Sequence, residues 1–207
     1  MKLIKIIVAG IVGGILIFAW SSVAHMMLPF VHWGVQSYPV AGNETLQAAI
    51  GSSIQHEGLY FYPGTENWET KLMDPVGGAA YAEQYKAGPS GILIVVKKGE
   101  SHVSINQLLR EFGTDAAAAM LAALIIFWGV DRSSLFRTVG MSIALGLMAW
   151  FLISASYNIW LRFPRDYVIG EAITEVVGLT IAGIGFYIVS LFFRAKKPTT
   201  PDLSPGI

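Results

Sequence analysis

The 207-residue chain contains no cysteine. Disulfides, thiolate metal sites, iron–sulfur clusters and thiol catalysis are therefore excluded. Charge is scarce as well: Asp, Glu, Lys and Arg make up 14% of the residues, against about 25% in a typical soluble domain. The 14 basic and 14 acidic side chains cancel, so the chain lacks the positive excess of a nucleic-acid binder. Three catalytic signatures are also missing: the HExxH of metallopeptidases, the GxSxG nucleophile elbow and the GxxxxGKS or GxxxxGKT phosphate loop. What is present in excess is apolar surface, 54% of residues with a mean hydropathy of +0.55. A chain of this kind belongs in a membrane.

A hydrocarbon core of about 30 Å asks for about 20 apolar residues in a helix. Four stretches approach that length: residues 4–28, 115–130, 139–160 and 172–193. The second is short, but the helical stretch Ile105–Phe112 precedes it, with Ser104 and Gln107 spaced as a capping box. One continuous helix that leaves the membrane at Asp115 is expected. Basic residues near the span ends set orientation. With the N-terminus inside, the inner side holds Lys2, Lys5, Arg132, Arg137, Arg194, Lys196 and Lys197 against Asp131 and Asp202, a net +5. Seven basic and twelve acidic residues remain outside, a net −5. Both termini are thus expected in the cytoplasm, with residues 194–207 a proline-rich, disordered tail.

Met1–Lys5, the apolar run Ile6–Trp20 and Ser22-Val23-Ala24 also match a signal peptide cleaved after Ala24. Against cleavage, the apolar run continues through Met26, Met27 and Leu28, and Gly10 and Gly14 form a GxxxG packing face.

Residues 29–114 form the expected extracytoplasmic cap. Asn43 is a candidate N-cap for a short helix through Gln47 to Ile50. Leu59-Tyr60-Phe61-Tyr62 before Pro63-Gly64 reads as a strand and turn, Ala79–Lys86 as a helix and Ile92–Val96 as a second strand. So small a core is marginal alone, and the cap is expected to lean on the bundle. The fold class is thus a four-helix transmembrane bundle with a small α+β cap between its first two helices.

The run Ala19-Trp20, His25-Met26 and Leu28-Pro29, then Gly58-Leu59-Tyr60-Phe61-Tyr62-Pro63-Gly64, then Phe163-Pro164 ahead of a Glu-bearing last helix resembles a group of uncharacterised bacterial multi-pass membrane proteins. The resemblance implies a bacterial inner-membrane setting and brings no activity and no functional residues.

Combining the spans with their orientation brings polar residues to one level, the outer edge of the bilayer. His25 lies near the outer end of span one, with His32 seven residues on and on the same face if the helix survives Pro29; Asp115 opens span two, Ser154, Tyr157 and Asn158 close span three, and Glu171 and Glu175 open span four. Stripes of small residues are expected to turn these groups inward: Glu171, Glu175, Gly178, Ala182 and Gly185; Gly10, Gly14, Ser21 and His25; Gly140, Ala144, Ser154 and Asn158. The result is an outward-facing polar pocket, a functional candidate because ionisable groups in a membrane are costly. Simpler readings stand beside it: a first-turn carboxylate complements the helix dipole, Arg162 and Arg165 lie close enough to pair with Glu171, and Trp33, Trp160, Tyr167, Trp128 and Tyr187 suit an interfacial belt.

Three functions fit. The first is a non-enzymatic accessory subunit that binds a partner, a lipid or a small ligand under the cap. The second is a metal or cofactor site built on His25 and Glu175, since imidazole and carboxylate suit several divalent metals; no particular cofactor is indicated. The third is an ion or solute pathway. A pathway needs an oligomer, because four spans show no inverted repeat and no polar route through the midplane.

Overall fold

The computed structural model describes residues 2–65, 74–96, 103–128 and 134–193. Four long helices dominate: α1 (Lys2–Met27), α4 (Ile105–Phe127), α5 (Leu135–Leu152) and α7 (Arg165–Phe192). Between α1 and α4 come α2 (Asn43–Ser53), β1 (Gly58–Tyr62), α3 (Pro75–Ala87) and β2 (Gly91–Val95), and a short α6 (Ser154–Leu161) follows α5. Three helical segments are long and apolar enough to cross a membrane: Leu3–Met27, Leu135–Leu161 and Arg165–Phe192. α4 is slightly shorter, at 23 residues, and carries Arg110, Glu111 and Asp115 in its first half.

The long helices contact one another in the order α4–α1–α7–α5, and α4 touches α5 and α7 only marginally. The first helix of the chain is therefore an inner member of the row, flanked by α4 and α7. Small residues explain the close approach. Gly10 meets Met120 and Gly14 meets the backbone of Ala116, while Gly13 seats the Phe186 ring and Ala119. Beyond them Phe18 stacks edge-on against Phe112 at 6.0 Å. A core of Ala9, Ala119, Ala122, Ala123, Ile126, Phe127, Ala182, Phe186 and Val189 fills the space among α1, α4 and α7. Lys5 caps this end, its Nζ 3.7 Å above the Phe127 ring, a favourable cation–π placement. α1 runs unbroken past Ala24, which is fully buried.

On the other side of the row, α5 packs on α7 through Thr138, Ser142 and Gly146. Gly183 receives Ser142, and Gly146 lies against Val176. This corrects the expected stripe: Gly140 faces open space and Ala144 is exposed. Thr138 and Ser142 can be buried because each hydroxyl donates to its own helix, to the carbonyls of Ser134 and Thr138.

The third apolar segment is bent. α5 ends at Ile153 (φ −110°, ψ −71°) and α6 starts at Ser154. Neither proline nor glycine stands at the break, where the Ser154 hydroxyl reaches across to α7. α6 then stops at Arg162, which holds a left-handed backbone (φ 60°, ψ 28°). The Phe163 amide donates back to the Tyr157 carbonyl, and Asn158 Nδ2 donates to the Phe163 carbonyl at 2.7 Å. Asn158 thus ties the turn into α7. Left-handed backbone costs a β-carbon-bearing residue about 1 kcal/mol, so Arg162→Gly is expected to raise stability by that order. Resistance of the detergent-solubilised protein to unfolding is the check.

The segment between α1 and α4 is more open than the sequence suggests. β1 and β2 pair antiparallel, Gly58 opposite Val95 and Tyr62 opposite Gly91. α2 begins at Asn43 itself, with Gly42 as N-cap and no side-chain capping bond. α3 starts earlier than expected, at Pro75, because Asp74 accepts from the amides of Val76 and Gly77. The sheet does not lean on the bundle: it makes no extensive contact with the long helices, and Leu59, Phe61 and Ile94 stay exposed. Contact comes from the turn Pro29–His32, whose Val31 is buried and whose Phe30 carbonyl abuts Gly170 of α7.

Residue 115 is not where α4 leaves its neighbours. The helix starts at Ile105 with the expected capping box between Ser104 and Gln107 and packs against α1 from Phe112 onward. By the Gly10–Met120 and Gly14–Ala116 contacts, Asp115 stands level with Ile15, near the middle of the Leu3–Met27 run. The turn Asp131–Ser133 and the tail from Arg194, which carry much of the charge asymmetry, lie outside the described residues.

Candidate functional site

α7 positions the site. Its N-terminal half is clamped by two indoles: Trp20 Nε1 of α1 donates to the Thr174 carbonyl at 3.0 Å, and Trp150 Nε1 of α5 donates to the Val168 carbonyl at 2.8 Å. These bonds fix the rotation of α7, turning Gly178 and Gly185 toward Trp20 and Leu16 of α1. Glu175 faces the other way, toward the bend between α5 and α6.

At that bend, Ser154 Oγ donates to Glu175 Oε1 at 2.9 Å, and Ser154 is 5% exposed. The second carboxylate oxygen, Oε2, is buried and has no hydrogen-bond partner. An unsatisfied buried carboxylate oxygen is costly. Beside it opens a cavity of about 130 Å³ lined by Ile153, Ser154, Tyr157, Phe163, Tyr167, Glu171 and Glu175. Tyr157 and Phe163 rings sit 5.4 Å apart, Phe163 and Tyr167 5.7 Å, so three aromatic rings form one wall. The Tyr167 phenol interacts with the Glu171 carboxylate.

The structure thus brings together Ser154, Tyr157, Glu171 and Glu175 of the residues expected from sequence. Asn158 is next to them but spends its amide on the turn. Asp115 is on α4, level with Ile15 of α1, whereas Glu175 lies toward the other end of α1, past the level of Trp20. One of its own carboxylate oxygens is buried and unpartnered. His25 and His32 are exposed. The His25 ring bonds back to the Ser21 carbonyl at 2.9 Å, a local bond within α1. Among the described residues no group of three or more His, Asp or Glu side chains could hold a metal ion. The expected Arg162 or Arg165 pairing with Glu171 does not form: both arginines are exposed, and among the described residues neither makes an ion pair.

Three lining residues escaped the sequence reading, the apolar Ile153 and the aromatic Phe163 and Tyr167. Tyr167 passes as an interfacial aromatic, and Phe163 belongs to a turn whose path depends on Arg162. The Phe163-Pro164 pair at the head of a Glu-bearing helix was their one local signal.

No family model matches the chain, and neither the curated proteins nor the solved structures contain a significant match.

Proposed function

We propose that the chain is a four-span integral membrane protein of a bacterial inner membrane, with both ends cytoplasmic, acting as a non-enzymatic accessory subunit that binds a small cationic ligand at the α5–α6–α7 pocket. In this reading α4 is the fourth span, and the basic ends Lys2–Lys5, Arg137 and the tail from Arg194 lie inside. The pocket then opens outward. The observation that carries the reading is Glu175, with one oxygen held by Ser154 and the other buried and unpartnered at a cavity.

The chemistry of the lining narrows the ligand class. Two carboxylates and three aromatic rings share a small space to which no cationic side chain contributes. Such a lining suits an ammonium group, which supplies donors to carboxylate oxygens and lies favourably against aromatic faces. A cavity of about 150 Å³ holds a benzene-sized molecule, so 130 Å³ suits a head of a few heavy atoms. The amine of a phospholipid headgroup and a free alkylamine both meet that description.

Native mass spectrometry of gently extracted protein tests the reading. Wild-type protein is expected to carry a stoichiometric amine-bearing adduct that Glu175→Gln loses, because the amide cannot neutralise the charge. Ethanolamine titrated onto delipidated protein separates a free amine from a lipid headgroup. An adduct that survives Glu175→Gln, or a bare wild-type chain in both arms, rejects the proposal.

A further inference from the structure

On the four-span reading proposed above, on which this inference rests, α4 carries charges that lipid would not satisfy. Gln107, Thr114 and Leu121 recur at seven-residue intervals and are all exposed, and Arg110, Glu111 and Ala118 border that line, exposed too. The face opposite packs on α1 through Phe112, Ala116 and Ala119. By the pairing of α4 with α1, Arg110 and Glu111 stand level with Trp20 and Ala19, within the apolar run Leu3–Met27. Charges at that depth cost several kcal/mol unless they are paired, and among the described residues neither Arg110 nor Glu111 has an ion-pair partner.

From this we infer that the outer face of α4 is the contact surface for a second copy of this chain, related by a two-fold axis along the membrane normal. This goes beyond the proposed ligand pocket, which lies on the opposite side of the row. The occupant follows from the arrangement of charge. Successive residues of a helix are about 100° apart, so Arg110 and Glu111 flank the Gln107–Thr114–Leu121 line on opposite sides. Two copies in one bilayer share their orientation, and a two-fold axis then brings each α4 parallel and level with its mate. The left flank of one helix meets the right flank of the other, as at the border positions of a parallel coiled coil. Arg110 of each copy thereby faces Glu111 of its mate, giving two charge pairs. Thr114 and Ala118 are small enough for close approach at the centre.

The absence of cysteine makes the test clean. Ala118→Cys is placed on the proposed seam and Met148→Cys, 52% exposed on α5, serves as a control. In oxidised native membranes the Ala118→Cys chain should form a product of twice 22.5 kDa about tenfold faster than Met148→Cys, as expected for a packed rather than collisional contact. Adding Arg110→Glu or Glu111→Arg alone should slow that product about fivefold through like-charge apposition, and the double reversal should recover it. Recovery by the double variant cannot come from misfolding of the singles. Equal rates at 118 and 148, cross-linked products only of another mass, or single reversals without recovery in the double would each overturn the inference.

Discussion

Gly14→Val is expected to separate α1 from α4 and to lower stability by about 3 kcal/mol. A β-carbon at Gly14 would sit 2.5 Å from the Ala116 Cα and 2.8 Å from its amide nitrogen. Both are backbone atoms, so no rotamer change relieves the contact. The helices must part, and the Gly10–Met120 and Gly13–Ala119 contacts on the same face open with them. In a bilayer this loss is not offset, because lipid tails are as apolar as the side chains and helix association rests on close packing. Gly140→Ala is the matched control. Nothing lies within 4 Å of a β-carbon there, so helix propensity dominates and the change should stabilise by up to about 1 kcal/mol. Opposite signs for two glycine substitutions, read as unfolding midpoints in mixed micelles, would confirm the packing; equal signs would refute it.

Phe186→Ala should be comparably severe, costing about 3–5 kcal/mol. Phe186 is fully buried, its ring centroid 6.4 Å from that of Phe127 and its edge seated on Gly13. It joins α7 to both α1 and α4 at the end of the bundle remote from the cavity. Truncation leaves a void that the surrounding alanines Ala119, Ala123 and Ala182 are too short to fill, and the lost dispersion contacts are the whole cost. Phe186→Leu, which retains most of the volume, should recover more than half of the loss. Because the cavity lies at the other end of α7, ligand retention at 4 °C should survive Phe186→Leu while it is lost in Glu175→Gln. Loss in both would mean that the pocket and the core are one cooperative unit.

Local chemistry was legible in the sequence and rotation about helix axes was not. The Ser104–Gln107 box, three of the apolar helices and both strands follow from short-range pattern. The polar end of the third and fourth apolar segments was also readable, and Ser154, Tyr157, Glu171 and Glu175 do meet there. Rotation failed for α5, where Gly140 and Ala144 seemed the natural packing residues but Thr138 and Ser142 are the buried ones. A hydroxyl that bonds its own helix carbonyl behaves as a small apolar group, and composition does not reveal which hydroxyls do so. The charges ahead of Asp115 suggest an exit from the bilayer; within the bundle, the small faces of α1 and α4 stay in contact beyond it, up to Phe18 and Phe112. Tyr167 and Phe163 were missed because the bend at Ile153 and the left-handed Arg162 fold the chain back, and neither position carries the glycine or proline that usually announces such a turn.

The inner place of α1 in the row has a consequence for biogenesis. α1 leaves the ribosome before both helices that cover its flanks, which are made about 80 and 140 residues later by their positions in the chain. During that interval its glycine faces meet only lipid or the insertion machinery. A nascent chain halted after α4 would hold one covered flank and one bare one, and the Trp20 indole would lack the Thr174 carbonyl that receives it. Completion of the row of helices therefore waits for α7, the flank of α1 made later.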